Sequence, residues 1–577
     1  MEFDIAAVPF SRFGSYMALN VLPPHWSLKG LILRTMRGTF ASREAFVLEP
    51  MRGREPVPYE VRARPDLLRL TADGRKVEMC FAAPDVLRIR GQGLALRVSS
   101  LSEHGSYAFP AGAGCWHVNC APNCTQYMFT PLRGELVMDA LHVVHTQDRR
   151  RRERPGRRPR VVAEFLPGED GQFEAAIEEF VTTSRTPDLS RPFDECVRDV
   201  AGEWAEWLRG TPAMPRKYAR AAESAMYVNW TSVVAPSGRF LRPTMLMSKN
   251  WMTQCWSWDH CFNAIALSYR NPELAWDQFM ALFDHQDEHG ALPDSVSEAQ
   301  LTWNFCKPPI HGWALAKMMQ RRGLLTQRRL EGVYRPLCRW TEWWLRERDC
   351  DGDGLPEYHH GNDSGWDNAT VFDGGYPVAA PDLTAYLVVQ THVLAGLARR
   401  LGRDRDAGRW KTRSDGLRDR MLERLWNGEQ FVSRRAFTGE VFPEGDCLLN
   451  YLAIVAGNRL PKAVRQKLSD ALKPDGRFVT EHGPATESPS SPLYVPDGYW
   501  RGPIWGSETV LVVDGLARAG YRSQAREIAR RYCNMCLNSG FAENFDALTG
   551  RPLRDRAYTW GSSAFLTLAH EFLRSRP

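Results

Sequence analysis

The chain contains no run of about 18 consecutive apolar residues, so no membrane-spanning helix is expected. Its start, Met1-Glu2-Phe3-Asp4, lacks the basic and apolar regions of a secretory signal, and a cytoplasmic location is expected. Net charge is small: 74 Lys and Arg against 68 Asp and Glu leave +6 over 577 residues, too little for a nucleic-acid footprint. Neither nucleic acid nor membrane is therefore expected as partner. Thirteen cysteines are an odd count at modest density, and Cys533 and Cys536 sit in an apolar helical pattern, so buried reduced thiols are expected rather than a disulfide framework. No fixed short repeat occurs, which disfavours an α-solenoid.

What is present is tryptophan, 20 residues, many beside Asp, Arg, Gly or Pro rather than on helical stripes. Flat aromatic faces next to hydrogen-bonding groups suit sugar rings, whose faces are apolar and whose edges are polar. The length predicts more than one domain. From about Leu31 to Phe165 short alternating runs recur, such as Val77-Glu78-Met79-Cys80-Phe81, Val86-Leu87-Arg88-Ile89 and Leu94-Ala95-Leu96-Arg97-Val98. Period two with Gly, Asp or Pro at the ends predicts an antiparallel β-sandwich over residues 1–170. The run from Arg149 to Pro159 reads as a solvated hairpin loop, with a basic interaction patch as the alternative.

Beyond about Gly171 the period reads as 3.6. Phe173–Arg185 and Phe193–Leu208 make a helical linker over residues 171–215, and a series of helices follows over residues 216–577. Leu330, Val333, Tyr334, Leu337, Trp340 and Trp344 mark one buried face; Ala525, Ile528, Ala529 and Tyr532 mark another; Phe565, Leu566, Ala569, Phe572 and Leu573 mark the last. Asn271-Pro272 reads as an N-cap with proline at the first helical position. Some twelve helices with Gly/Pro/Trp-rich connections suggest an all-α toroid.

Polar and aromatic residues gather in those connections. The ordered set Asp363-Ser364-Gly365-Trp366-Asp367-Asn368, Tyr499-Trp500-Arg501-Gly502-Pro503-Ile504-Trp505, Glu543-Asn544-Phe545 and Trp560-Gly561-Ser562 resembles glycoside hydrolase family 63 from about Arg216 to the end. That family includes processing α-glucosidases, bacterial relatives acting on α-glucosides, and hydrolases of mannosylglycerate and glucosylglycerate. The resemblance implies an (α/α)6 barrel, an N-terminal β-sandwich as in many bacterial members, and an inverting mechanism. It makes Asp367 the general acid and Glu543 the general base, and it places Trp258, Asp259, Lys307, Trp366, Tyr499, Trp500, Arg501 and Trp505 around the sugar.

The physical expectation is that Trp366 excludes water from Asp367 and keeps it protonated, while Glu543 remains ionised. Inversion needs roughly 6.5–9.5 Å between the two carboxyl groups to admit a water. Arg501 either touches substrate or pairs with Glu508 or another loop carboxylate, and Glu487 is a candidate supporting residue. Asp349-Cys350-Asp351-Gly352-Asp353 resembles the start of a calcium loop, but His360 stands where the closing Glu belongs, and an Asp/Gly turn is the simpler reading. Cys115, His117, Cys120 and Cys124 do not match a standard zinc spacing. No cofactor is needed for the expected hydrolysis of a terminal α-glucosyl or α-mannosyl residue from a small carbohydrate. A non-catalytic sugar-binding protein, a trehalase-type hydrolase, and an epimerase or lyase using His260, His311, His359 or His360 are the competing readings.

Overall fold

The computed structural model describes residues 1–21, 30–38, 43–101, 106–140 and 161–574; the basic run from Arg149 lies outside them. Two antiparallel sheets form the N-terminal region. One runs Met17–Val21, Leu31–Thr35, Glu44–Arg52, Ala95–Ser100, Val161–Leu166, Glu135–Ala140, with Glu55–Pro56 added to the third strand. The other runs Tyr107–Gly112, Cys115–Cys120, Thr125–Arg133, Gln172–Phe180, Val86–Gln92, Arg75–Ala83, Leu67–Ala72, Glu60–Arg64. Alternation decides what lies between them: Leu33, Phe46, Leu48, Met79, Ile89, Val98, Phe129 and Phe165 share one core. On the opposite face Glu78 accepts from Arg69 Nε and Arg90 Nε, each at 2.8 Å, on the two flanking strands.

The helical reading of Phe173–Arg185 is wrong, because Gln172–Phe180 is a central strand between Thr125–Arg133 and Val86–Gln92. Its six last residues, Ala175–Phe180, are all buried, so apolar positions fall on both faces and period two is lost; Ala and Glu then imitate a helix until the neighbouring strands claim the backbone. The helical linker is therefore confined to α1, Phe193–Arg209, which packs on strand Arg75–Ala83.

The remaining helices are α2 (Ala219–Ser232), α3 (Asp259–Leu267), α4 (Pro272–Met280), α5 (His311–Met318), α6 (Gln327–Glu347), α7 (Gly361–Ser364), α8 (Pro381–Arg400), α9 (Asp404–Leu425), α10 (Lys462–Ala471), α11 (Gly506–Ala519), α12 (Arg522–Ser539) and α13 (Thr559–Leu568). Asn271 caps α4 by accepting from Leu274 N at 3.2 Å, as its sequence predicts. The predicted faces of α6 and α12 are buried. α3, α5, α8, the 3-10 segment Leu448–Arg459, α11 and α13 touch in that order, and α13 returns to α3. α4, α9, α10 and α12 each back one of them. All nine residues of α3 and all ten of α13 are buried, whereas α6 and α9 bury one stripe, which separates a ring from the layer around it.

The sheets and the helices meet across a polar seam. Arg37 donates to Glu179 (3.1 Å) on its own side and to Ser237 (2.8 Å) and Glu298 (3.1 Å) on the other, with its guanidinium over the Tyr16 ring. Among the described residues no helix is long and apolar enough to cross a membrane.

Candidate active site

The loop after α6 carries Asp367. Asp363 anchors it by accepting from Cys306 N (3.1 Å), His359 N (3.0 Å) and Arg348 Nη1 (2.8 Å). Gly365 then turns with φ +75°, where a Cβ would come 2.4 Å from the Trp258 ring, so only glycine lets Trp366 and Asp367 pass behind that indole. Asn368 ties this loop to the next by accepting from Trp500 N and donating to Gly498 O, both at 3.0 Å.

Three of the four expected tryptophans form one stack. Trp500 lies between Trp366 (centroids 5.0 Å apart) and Trp505 (3.7 Å apart, 3° between planes), with Trp258 and Trp560 packed around them. Trp258, Trp366, Trp500 and Trp505 are each at most 2% exposed. Their faces are packed largely on one another. Tyr499 is the half-buried ring beside them, held at φ +65° with Trp505 Nε1 donating to its carbonyl at 2.9 Å.

Tyr499 bonds the second acid. Its hydroxyl donates to Glu543 Oε1 at 3.0 Å, and burial, with the charges of Glu543 and Asp367 adding to it, raises the phenol. Trp560 Nε1 donates to Glu543 O at 3.1 Å, seating the second acid against the stack. Burial raises Glu543 to about 8, with Asp555 adding to the rise and Tyr499 and Arg554 opposing it. Burial also raises Asp367, against the pull of Lys307.

Lys307 is the buried cation of the site. It pairs with Asp294 (2.9 Å), donates to Asn362 O (2.6 Å), and its charge reaches Asp367 and Asp259. Asp259, at the start of α3, is pushed up to about 7 by burial and accepts from Tyr558 OH at 3.3 Å. Arg501 does not pair with Glu508. It donates to Asn368 O (2.8 Å) and pairs with Asp373, while buried Glu508 is held by Ser507. Glu487 accepts from Thr370 Oγ1 (2.6 Å), Asp446 N (2.6 Å) and Ser491 Oγ, bracing the chain three residues beyond Asp367.

Asp349, Asp351 and Asp353 converge, yet their oxygens accept from Gly354, Asp353, Leu355 and Phe437 N–H groups, and Asp353 pairs with Arg424. These bonds are those of an Asp/Gly turn, and the three carboxylates remain close enough together to hold a cation. Cys120 points into the sheet core while His117, three positions before it, sits on the other face with Gln126 at 2.6 Å, so strand alternation keeps the four zinc candidates apart. A cavity of about 680 Å³ where α1 meets α2 and α3 contains none of the site residues. Sequence reasoning missed Asp294, Arg554, Asp555 and Tyr558. None stands in a legible motif; only proximity in the fold gives them a part.

The loops that carry Asp367, Tyr499 and Glu543 thus adjoin one another against stacked indoles, and burial raises both carboxyl groups. A family described as the mannosylglycerate hydrolase MGH1-like glycoside hydrolase domain matches residues 252–561. The chain is 24% identical over 452 residues to the mannosylglycerate hydrolase of Rubrobacter radiotolerans, covering 62% of this chain and 99% of that one. It is 23% identical over 416 residues to the glucosylglycerate hydrolase of Mycolicibacterium hassiacum, covering 54% and 90%. The Thermus thermophilus GH63 mannosylglycerate hydrolase in complex with glucose shares the fold at TM-score 0.52 and 19% identity, over 59% of this chain and 98% of that one. A bacterial glucoamylase in complex with acarbose aligns over 99% of this chain and 95% of its own at TM-score 0.64 and 12% identity. With more than half its length matched, the chain belongs to the MGH1-like members of glycoside hydrolase family 63 and is a glycoside hydrolase.

Proposed function

We propose that the protein is an inverting, exo-acting α-glycosidase that removes a terminal α-glucosyl or α-mannosyl residue from a small soluble glycoside, working on an (α/α)6 barrel. The observation that carries this reading is the junction of the loops that bear the two acids: Asn368, next to Asp367, bonds Trp500 N and Gly498 O, and Tyr499 between those two bonds Glu543. Asp367 gives its proton to the departing glycosidic oxygen as the bond to the anomeric carbon breaks. Glu543 takes a proton from a water that attacks that carbon from the opposite face, and the product leaves with inverted configuration. Glu543 then carries a proton and Asp367 a charge; exchange with solvent resets both. No step draws on a cofactor. The relatives named for mannosylglycerate and glucosylglycerate support a small, acidic acceptor as the leaving group.

The epimerase reading needs a histidine at the reacting carbon. His260 and His311 are fully buried, with His260 Nδ1 on Trp256 O at 3.1 Å and His311 Nδ1 accepting from Trp340 at 3.2 Å, which makes them packing residues. A non-catalytic binder has no use for two raised acids on adjoining loops. Purified protein tested on α-linked disaccharides and glycosyl-glycerates, with the product followed by NMR before mutarotation, is expected to release the β-anomer first. First appearance of the α-anomer refutes inversion, and turnover of none of these substrates refutes the substrate class.

A further inference from the structure

The segment that carries Glu543 is tied to the N-terminal sheets by a polar path. Glu543 N donates to Asp555 O at 2.7 Å. The Asp555 side chain, fully buried, accepts from Ser248 Oγ (2.5 Å), Asn250 Nδ2 (3.0 Å), Trp251 N (3.2 Å) and Ala557 N (3.0 Å). Three of these four donors come from the 248–252 loop and fix it against the segment that carries Glu543. The same loop is gripped from the sandwich side. Arg34 Nη1 donates to Lys249 O (3.2 Å), Arg43 Nη1 to Trp251 O (2.6 Å), and Asn250 Nδ2 to Ala7 O (3.2 Å). Lys249 reaches back to Ser11 Oγ (3.0 Å) and Ser15 O (2.5 Å), and Trp251 packs on Ile32 and Val47.

We infer that the N-terminal sandwich positions the catalytic base through the 248–252 loop and Asp555, which makes Asn250 and Asp555 positioning residues for Glu543. This rests on the role proposed above for Glu543. The arrangement works through both geometry and charge. Hydrogen bonds on either side of the loop leave the Glu543 backbone little room to move, and an ångström of drift at a reacting group costs about a hundredfold in rate. The titratable and charged groups acting on the Glu543 carboxyl are Tyr499, Arg554, Asp555 and Tyr558, and Asp555 is the one among them that adds to the rise burial imposes on it. The Thermus enzyme, matched along nearly its whole length by 59% of this chain, shows how much here lies outside the shared region.

The test uses the full chain labelled with 13C at the glutamate carboxyl, where the Glu543 signal is the one absent from Glu543→Gln, so its titration is read without substrate. Asp555→Asn keeps the shape and removes the charge; Glu543 is expected to titrate at lower pH. Asn250→Ala removes one of the loop's three bonds to Asp555 together with its bond to Ala7 O, and Lys249→Met removes the bonds to Ser11 and Ser15. Replacing a buried ammonium by an apolar chain of similar length keeps the fold, which melting curves verify and which covers the case of Asp555→Asn failing to fold. Both loop variants are expected to shift the Glu543 titration and to lower kcat about ten- to a hundredfold with KM within about twofold. An unchanged Glu543 titration in all folded variants overturns the inference even if Glu543→Gln is inactive. Shifted titrations with a fully active Glu543→Gln uphold the link and remove the base assignment instead.

Discussion

Glu78 in the sandwich and Glu543 among the helices are both buried carboxyl groups in polar company, yet they are driven in opposite directions. Burial pushes each up. Around Glu78 two arginines, Arg90 and Arg69, outweigh it and hold the group below the usual carboxylate range. Around Glu543 a second acid, Asp555, adds to burial, Tyr499 and Arg554 oppose it only in part, and the group rises to about 8. A carboxylate matched by cations serves the fold; one that burial and a second acid raise, with Arg554 and Tyr499 opposing only in part, is the more basic group and is fitted to take up a proton.

The largest test of that contrast is catalytic. Asp367→Asn and Glu543→Gln are expected to lose about 10²–10⁴-fold in kcat while sugar binding survives, whereas Glu78→Gln leaves the rate alone. Steady-state kinetics with isothermal titration of product decide it, and near-normal turnover in either site variant breaks it. Next come the aromatic cores. Trp500→Ala and Phe129→Ala each cost about 3–5 kcal/mol of folding stability, read by urea denaturation, but only Trp500→Ala should also lose activity below its melting range. Equal activity in both would mean that the indole stack is ordinary core.

A smaller effect sharpens the electrostatics. One limb of the pH–rate profile should lie near pH 8 and belong to Glu543. Tyr499→Phe removes a hydrogen bond that favours the carboxylate and so moves that limb to higher pH; a limb that stays in place contradicts the assignment. The smallest is thermodynamic. Glu543 is raised on folding, so the folded chain holds its proton more tightly and stability drains away as pH climbs from the ordinary carboxylate value to about 8. Glu543→Gln should therefore melt above wild type at pH 8 and beyond, with the advantage fading toward pH 4.5. Glu78 is lowered, so its contribution is present above the ordinary value and lost in acid, and Glu78→Gln should cost stability at neutral pH. Calorimetry across pH separates the two signs.

Much of this was legible in the chain. The strands at Arg75–Ala83 and Val86–Gln92, the α4 cap at Asn271 and the buried stripes of α6 and α12 follow from local periodicity, because each element must hide one face. The ordered loop motifs led to the family, and the loops carrying Asp367, Tyr499 and Glu543 do meet. Gln172–Phe180 misled because a strand buried on both faces has no alternation to show. Arg501 was ambiguous because an arginine's partner is a matter of reach through space, and here Asp373 lies 128 residues away in the chain.

Residue order by itself determined the element types, the two-part layout and which carboxyl groups were worth watching, since these depend on neighbours a few positions apart. Only the tertiary structure decided that Glu543 is raised, that the tryptophans face one another and that Asp555 ties the base to the sandwich. Charge states and contacts of that kind are set by desolvation and by groups brought together from distant parts of the chain, and no local pattern encodes them.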